Sequence, residues 1–315
     1  MDTLSEVLDN IRSSGALIDQ NLLEAPWSIR FEAGSSITVA TPLQGQTWLI
    51  EDGVEPVGLA ARDLLILTGP DPVLITSDPL DRAAAPSCIV RADGRCLEPA
   101  GRLDGIKGLD RRRAAPAREH VLLTGTFPTS GRISERLLGA LPPAVVLPRR
   151  HQRSRALDML EAELGSREPG QQAVLDRLLD LVLIGALRDW FALPEASAPA
   201  WYGAAGDPVV GPALAALHTD PARPWTVESL ARAARVSRAT LARRFADVMG
   251  EPPISYLAGW RLCLAADLLQ DTEDTIETVA RRVGYSSPYA LSAAFTREYG
   301  IRPSQYRAQS RRAAA

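Results

Sequence analysis

The last hundred residues of the chain contain an internal repeat. The segment Thr226–Ser237 reads TVESLARAARVS, and the segment Thr275–Ser286, 49 positions later, reads TIETVARRVGYS. Each begins with a threonine suited to a helix N-cap, has a glutamate that the positive end of a helix favours, and continues with apolar residues at helical spacing. Self-similarity of this kind indicates a duplicated structural unit.

Both copies continue into a second helix that ends in the same way. Ser237 is placed to cap the second helix of the first copy, and Ser287, followed by Pro288, is placed to cap that of the second. Each helix then stops at a Gly-x-x-Pro sequence, Gly250–Pro253 or Gly300–Pro303. The pattern predicts two helix-turn-helix motifs, at about 227–249 and 276–299, joined by one long helix from Pro253 to Gln270.

The charge of the chain is distributed unevenly. The whole chain has a net charge of −3, but the residues from Asp207 onward contain 14 arginines and 11 acidic residues, a net of +3, which leaves −6 upstream. Nucleic-acid binding depends on the local field, so the C-terminal part is the better suited to DNA. A solvated surface also produces a polarity of this size, and the motifs therefore decide the matter.

Several C-terminal motifs resemble the signature of the AraC/XylS family of transcription regulators. They are LAR at 230, LARRF at 241, RLCLAADLL at 261, VARRVGYSS at 279 and FTREYGIRPSQYR at 295–307. The resemblance covers residues 208–309 and implies sequence-specific binding to double-stranded promoter DNA. It also implies that two recognition helices enter successive major grooves, about 34 Å apart for one turn of the duplex.

The resemblance places the exposed faces of the two recognition helices against base edges. Arg243 is the first candidate for base reading because its guanidinium can form a bidentate pair with guanine, whereas Ala242 can only touch a thymine methyl. Arg238 is suited equally to a base or a phosphate, and Arg244 and Arg297 are suited to phosphates. The full set of predicted DNA-binding residues is Arg238, Ala239, Ala242, Arg243, Arg244, Pro288, Tyr289, Ser292, Ala293 and Arg297.

The second copy departs from the common family pattern. It has Ala293 and Ala294 where a basic residue often precedes the phenylalanine, which leaves Tyr289 and Ser292 as its polar groups. We therefore expect its contribution to be weaker than that of the first copy, or more dependent on DNA shape.

The N-terminal part is rich in short β-type runs, which are followed by helical periodicity. Runs at Ser36–Ala40, Thr47–Glu51, Asp63–Leu67 and Val73–Thr76, separated by turn residues, predict an antiparallel sandwich or small barrel. Apolar stripes then predict helices at 152–165 and 172–192. Pro194–Pro208 has neither periodicity nor enough apolar content to pack, and is interpreted as a linker.

These patterns predict an α+β protein of two domains. The predicted boundaries are residues 1–193 for a regulatory and dimerisation domain, 194–207 for the linker, 208–309 for the DNA-binding domain and 310–315 for a tail.

The N-terminal part resembles the cupin-like sensor domain of one AraC subgroup. The resemblance is carried by Trp48-Leu, Asp63-Leu-Leu-Ile-Leu, Ser77-Asp-Pro, Leu122-Leu-Thr-Gly-Thr-Phe and Leu138-Gly-Ala-Leu-Pro-Pro. It implies a β-barrel that holds a small organic effector, with a ligand-free dimerisation scaffold as the alternative. It also implies a homodimer, with the helices at 152–165 and 172–192 either forming the dimer contact or packing on their own barrel.

Metal-dependent catalysis is disfavoured by the residues at the expected ligand positions. Cupin metal sites use histidines on facing strands, but Ala40 and Val73 occupy the corresponding positions, and His120, His151 and His218 are scattered. The sequence thus predicts no metal, no cofactor and no enzymatic activity, and a cupin-type enzyme remains the weaker alternative.

The three cysteines suggest a compartment and a second regulatory alternative. Cys88, Cys96 and Cys263 make neither an even disulfide framework nor a CxxC pair, which fits a reducing cytoplasm. Cys88 and Cys96 lie eight residues apart near Arg91 and Arg95, so an oxidant-sensing pair is the alternative to effector control. Cys263 is interpreted as a packing residue of the long helix.

The remaining expectations concern partners and membranes. Met1–Leu17 lacks the basic and apolar regions of a signal peptide, and charged residues interrupt the apolar stretch Leu175–Leu193, so no membrane association is predicted. RNA polymerase is a partner if the protein is an activator, and activation or repression stays open. A non-specific architectural DNA protein is the third functional alternative.

Overall fold

The computed structural model describes residues 17–32, 36–69, 71–80, 86–91, 96–97, 119–128, 131–139, 141–166, 168–194, 196 and 198–314. These residues form two compact units. The sheet unit contains the described residues of 17–128 and 138–196, and the helical unit contains those of 131–137 and 198–314.

Strands occupy most of the sheet unit. They are β1 (Leu17–Glu24), β2 (Ser28–Phe31), β3 (Ser36–Gln44), β4 (Thr47–Ile50), β5 (Val57–Leu59), β6 (Leu64–Leu67), β7 (Val73–Thr76), β8 (Cys88–Val90), β9 (Cys96–Leu97), β10 (Glu119–Pro128) and β11 (Ala144–Leu147). One sheet has the order β1-β10-β3-β6-β11 and the other the order β5-β4-β7-β2-β8-β9. The four predicted strands are confirmed as β3, β4, β6 and β7. Strand β7 has the predicted ends, β4 and β6 differ at one end by one residue, and β3 continues four residues further.

Helices follow, and they dominate the C-terminal third. They are α1 (Arg132–Leu138), α2 (Ala156–Leu164), α3 (Gln171–Phe191), α4 (Ala200–Ala204), α5 (Val210–Thr219), α6 (Val227–Ala233), α7 (Arg238–Met249), α8 (Pro253–Asp271), α9 (Ile276–Arg282), α10 (Pro288–Tyr299) and α11 (Pro303–Ala314). The long helix predicted from Pro253 to Gln270 is α8, which ends one residue later.

The core of the sheet unit is shared by its two sheets. Buried apolar side chains from both sheets form one cluster, including Ala40 and Leu65 from the first sheet and Ile29, Leu49 and Ile75 from the second. Nearly all strand pairs are antiparallel, with β2 and β8 as a parallel pair. Shared burial of this kind is the main stabilising contribution to a two-sheet domain.

Helix α3 packs on the outer face of the first sheet at a glycine. A Cβ atom built on Gly125 of β10 would lie 2.6 Å from the Leu179 side chain of α3. The missing side chain therefore lets the helix approach the strand closely. The predicted helices are confirmed as α2 and α3, and the apolar stripe of α3 is buried as expected.

The proline-rich stretch differs from its prediction in one respect. Within Pro194–Pro208, helix α4 forms, and its Trp201 is 6% exposed. The average composition of the stretch concealed one large aromatic side chain, and a single such side chain buries enough apolar area to order a short helix. The expectation that nothing in this stretch packs is therefore wrong.

Candidate nucleic-acid interface

The first helical pair, α6 and α7, is defined by side-chain caps at both helix starts. The Thr226 hydroxyl accepts a hydrogen bond from the Ser229 amide, and the Ser229 hydroxyl accepts one from the Thr226 amide. Ser237 then accepts a 3.1 Å hydrogen bond from the amide of Thr240 at the start of α7. These bonds satisfy amides that a helix leaves unpaired at its first turn.

The second helical pair, α9 and α10, repeats this arrangement. Thr275 accepts a 3.1 Å hydrogen bond from the Thr278 amide, and Ser287 accepts one of the same length from the Ala290 amide. Helices α7 and α10 both end at a glycine in the left-handed region, with φ of 76° at Gly250 and 72° at Gly300. The caps predicted from the sequence repeat are confirmed in both copies.

One face of each second helix is buried in the helical unit. Leu241 and Phe245 of α7, and Leu291 and Phe295 of α10, are fully buried. Phe245 packs edge-on against Tyr256 of α8, with 5.9 Å between the ring centroids. The opposite faces of α7 and α10 are therefore the ones left to face a partner.

The predicted DNA-binding side chains lie on those outward faces. Tyr289 is 83% exposed, an unusual position for a large aromatic ring in a protein without a bound partner. The exposed members of the set are Arg238, Ala239, Arg243, Arg244, Pro288, Tyr289, Ala293 and Arg297, and the half-buried members are Ala242 and Ser292.

A shallow concavity of about 610 Å³ lies beside α10. Tyr289, Ser292 and Arg297 line one part of it, and Arg302 and Ser304, at the start of α11, line another. Sequence reasoning missed both residues: Arg302 was assigned to the Gly-x-x-Pro stop of α10, Ser304 directly follows that stop, and neither was considered as a surface group. The concavity combines hydroxyls, guanidinium groups and an aromatic ring, the side chains that most often contact DNA phosphates and bases.

Arg244 has a partner that sequence reasoning also missed. Its guanidinium lies 2.7 and 2.9 Å from the Asp207 carboxylate. The same carboxylate accepts hydrogen bonds from the amides of Val209 and Val210, each at 2.9 Å. The Val210 amide in particular, with the Val209 amide and Arg244, lowers the pKa of Asp207. Arg238 and Arg243 have no ion pair among the described residues, so their guanidinium groups are available to a ligand.

The histidines lie in three separate places. His120 is on β10, His151 is in a 3-10 turn, and His218 of α5 is buried, stacked 4.3 Å from Trp260 and hydrogen-bonded to the Tyr256 hydroxyl. Among the described residues, no group of three or more His, Cys, Asp or Glu side chains is arranged to hold a metal ion. Within the same residues, no helix is long and apolar enough to cross a membrane.

The cysteines differ in their surroundings. Cys88 is 2% exposed and is disulfide-bonded. Cys96 pairs through its backbone with Val90 on the neighbouring strand, while the Cys96 side chain and Arg95 lie outside the described residues. Cys263 is a free thiol on α8 whose pKa is raised by burial, and the Tyr299 hydroxyl donates to its sulfur at 3.9 Å. The packing role predicted for Cys263 agrees with this half-buried position.

Comparisons with known proteins cover both parts of the chain. A cupin family matches residues 2–192, and a helix-turn-helix domain family matches residues 230–309. An AraC-like transcription regulator of Streptomyces lividans is 34% identical over 312 residues, which is 98% of each chain. The HTH-type transcriptional regulator AlkR of Acinetobacter baylyi is 39% identical over 143 residues, 45% of this chain and 46% of that protein.

Among solved structures, the DNA-binding domain of AdpA, a global transcriptional factor in complex with a target DNA, is similar to part of this chain. It is 36% identical, has a TM-score of 0.32, and covers 34% of this chain and 95% of its own.

Proposed function

The chain belongs to the AraC family of transcription regulators with an N-terminal cupin domain, and we propose that its two helical pairs act as two helix-turn-helix motifs. In this proposal α7 and α10 are the recognition helices, and α8 joins the two motifs. A single chain then reads two successive major grooves on one face of promoter DNA. Arg243 reads a base in the first groove, and Tyr289 with Ser292 contacts the second.

The observation that supports this assignment is the matched polarity of the two second helices. Each begins at a serine cap, buries a leucine and a phenylalanine four residues apart, and exposes the opposite face. The exposed face of α7 presents the Arg243 guanidinium, which no described residue holds in an ion pair. Preorganised helices with free donors on one face fit the major groove, where guanine offers two acceptors in the plane of the base.

The test is binding of the purified full-length protein to the intergenic DNA upstream of its own gene and to scrambled DNA of the same composition, both at physiological salt. Arg243→Ala is measured beside the wild type. We expect a wild-type preference for the upstream fragment, and a loss of about 1–3 kcal/mol of that preference in the variant. Equal wild-type affinity for both fragments supports the architectural alternative and contradicts sequence-specific reading.

We also propose that the cupin domain binds a small organic effector in its apolar interior. The core between the two sheets contains Trp27, which is 3% exposed, and among the described residues its indole Nε1 has no hydrogen-bond partner. His120 lies 5.7 Å away between ring centroids, and its Nδ1 is likewise unpartnered there. Burial lowers the pKa of His120 and so favours its neutral form, while a hydrogen bond with the Gln46 backbone acts in the opposite direction. A mainly apolar ligand with a hydrogen-bond acceptor for the indole fits these groups.

The effector proposal is tested by thermal-shift screening of small organic compounds against the full chain. A stabilising compound is then measured against Trp27→Phe, which keeps the aromatic ring but removes the N–H donor. We expect the affinity for the compound to fall in the variant while its melting temperature without compound stays close to that of the wild type. Unchanged affinity excludes the Trp27 indole as a ligand contact.

We further propose that the protein is a homodimer through α2 and α3. Three large apolar side chains on these helices are exposed, Met159 at 56%, Val174 at 44% and Leu181 at 50%. Val174 and Leu181 are seven residues apart and share one face of α3. Sedimentation of the wild type and of Leu181→Asp tests the proposal, and a wild-type monomer at micromolar concentration contradicts it.

RNA polymerase becomes a further partner if promoter assays show activation.

A redox-responsive regulator is the second candidate. Cys88 is disulfide-bonded, whereas Cys263 carries a free thiol. The register of β8 and β9 places Cys96 opposite Val90, two residues from Cys88. If DNA binding by the wild type is the same in oxidant and in reductant, this candidate is excluded.

We assign no catalytic activity to the cupin domain, since the relatives that match the chain are transcription regulators.

A further inference from the structure

The start of helix α1 is capped by a carboxylate from α8. The Asp267 side chain accepts hydrogen bonds from the amide of Arg132 at 2.6 Å and from that of Ile133 at 3.4 Å. Gly131 precedes them with φ of 90°, and a Cβ there would lie 2.5 Å from an Asp267 carboxylate oxygen. The first amides of a helix lack internal partners, so this carboxylate fixes the end of α1 against α8.

The Gly131–Arg136 segment belongs to the helical unit although it lies between strands β10 and β11 in sequence. It is therefore part of the stretch that matches the cupin family and at the same time part of the unit that contains both helical pairs. Two arginines four residues apart, Arg132 and Arg136, share one face of its helix.

Arg136 contacts the core of the first helical pair. Its guanidinium carbon lies 4.9 Å from the centroid of the Tyr256 ring and 5.9 Å from that of Trp260. Tyr256 packs in turn on Phe245, the fully buried phenylalanine of α7. A cation over an aromatic face at this distance is attracted by the ring, so Arg136 is linked to α7 through one intervening side chain.

Arg132 contacts the core of the second helical pair in the same manner. Its guanidinium carbon lies 4.8 Å from the centroid of Tyr299 and 5.7 Å from that of Tyr306. Both rings pack on Phe295, the fully buried phenylalanine of α10, at 4.6 and 5.4 Å. The two arginines of one short helix therefore reach equivalent residues of the two repeats.

We propose that Arg132 and Arg136 are positioning residues for DNA reading, which hold α7 and α10 in one relative orientation by bridging the aromatic cores behind them. This inference rests on the proposed function of α7 and α10 as the two recognition helices. Reading two grooves at once requires a fixed spacing, and a loose connection between the two motifs lowers affinity because the orientation must be ordered on binding.

The test is the double variant Arg132→Ala/Arg136→Ala in the full-length protein, measured on the upstream intergenic DNA and on scrambled DNA. Arg30→Ala/Arg150→Ala is the matched control, since it removes two exposed arginines that lie in the sheet unit and outside the proposed dimer helices. We expect at least a fivefold loss of affinity for the upstream fragment, a smaller loss on scrambled DNA, and no such change in the control. Arg132→Lys/Arg136→Lys keeps both cations and should restore part of the loss.

The salt dependence of binding distinguishes positioning from direct contact with DNA. Each phosphate contact contributes about 0.9 to the slope of log affinity against log salt. We expect the slope of the double alanine variant to equal that of the wild type, because the two arginines contact aromatic rings. A slope reduced by one or more, or an affinity equal to that of the control variant, overturns the proposal.

Hydrogen exchange tests the contact itself without DNA. We expect the amides of Arg132 and Ile133 to be protected in the wild type and to exchange faster in Asp267→Ala. Rapid exchange in the folded wild type overturns the bridge whatever the DNA result. A wild type that has protected amides but no preference for the upstream fragment refutes sequence-specific reading and leaves the bridge intact. If the double variant unfolds, the single variant Arg136→Ala replaces it in the binding comparison.

Discussion

Arg235 and Gly284 occupy the equivalent turn position of the two repeats, and both have positive φ angles, 55° and 83°. In each copy the next residue donates its amide to a carbonyl of the preceding helix, Val236 to Ala231 and Tyr285 to Ala280. The turn therefore requires a left-handed residue in both copies. The second copy meets that requirement with glycine and the first with an arginine, which is strained in this conformation.

We expect Arg235→Gly to raise the free energy of unfolding by about 0.5–1 kcal/mol, because glycine adopts the left-handed region without a steric cost. Urea unfolding of the full chain, followed by the signal of the helical unit, measures the change. Arg232→Gly is the control, since Arg232 lies in the right-handed conformation of α6 and glycine should destabilise it by about 1 kcal/mol. Equal destabilisation by the two variants contradicts the strain at Arg235.

Gly284 has a second reason to be glycine. A Cβ there would lie 2.5 Å from the carbonyl oxygen of Ala222 and 2.7 Å from its Cα, both backbone atoms. Adding the steric conflict to the unfavourable φ, we expect Gly284→Ala to cost about 2–4 kcal/mol of stability. Gly300→Ala is the matched control, because Gly300 has φ of 72° with nothing within 4 Å of a Cβ, and it should cost about 1 kcal/mol. Similar losses in both variants exclude the steric contribution.

The repeat, its caps and its stops were predictable because each depends on residues within a few positions of one another. Ser237 and Thr240, or Ser287 and Ala290, are three residues apart, and the side chain caps the helix whatever the rest of the chain does. The same holds for the burial of Phe245, which helical periodicity predicts directly.

The contacts that were not predictable join residues far apart in sequence. Asp207 and Arg244 are separated by 37 positions, and Asp267 caps a helix that begins 135 positions earlier. The residues next to an aspartate do not show whether it caps a helix that is distant in sequence, because an aspartate in the same local sequence can also lie exposed on a helix without any partner. Trp201 was missed for a related reason, because the average composition of its segment conceals one large side chain that packs.

Arg243 and Arg244 are adjacent, but we expect them to have different effects on DNA binding. Arg243 is exposed and unpaired among the described residues, whereas Arg244 is held by the Asp207 carboxylate. Arg244→Ala should keep the preference for upstream over scrambled DNA and reduce the unfolding free energy by at most about 1 kcal/mol, since the arginine is half exposed. Arg243→Ala should lose the preference without a loss of stability. Competition binding measures the preference for upstream DNA, and urea unfolding measures the stability of both variants. A lost preference in Arg244→Ala together with a retained preference in Arg243→Ala would contradict the assignment.

Asp267 should make the stability of the helical unit depend on pH. Burial raises the pKa of this carboxyl to about 6. The amides of Arg132 and Ile133 oppose this rise, because they stabilise the carboxylate. The charged and titratable groups around it include Asp271 and Cys263 on its own helix, Glu135 and Arg132 on α1, and Tyr306 on α11. The folded-state pKa lies above the ordinary value, so the folded protein binds a proton at this carboxyl near pH 6, where the unfolded chain does not. Proton binding therefore stabilises the folded protein at low pH, and this contribution is lost as the pH rises through 6.

We therefore expect the difference in unfolding free energy between wild type and Asp267→Asn to change with pH. Each unit of pKa shift corresponds to about 1.4 kcal/mol, and partial exposure of the carboxyl reduces the total to about 1–2 kcal/mol in favour of the wild type between pH 7.5 and pH 5. Asparagine does not titrate. The pH dependence of every group that the substitution leaves unchanged therefore cancels in the difference between the two unfolding free energies. Urea unfolding of both proteins at several pH values measures the difference, and a constant difference would mean that Asp267 has an ordinary pKa and is open to water in the folded protein.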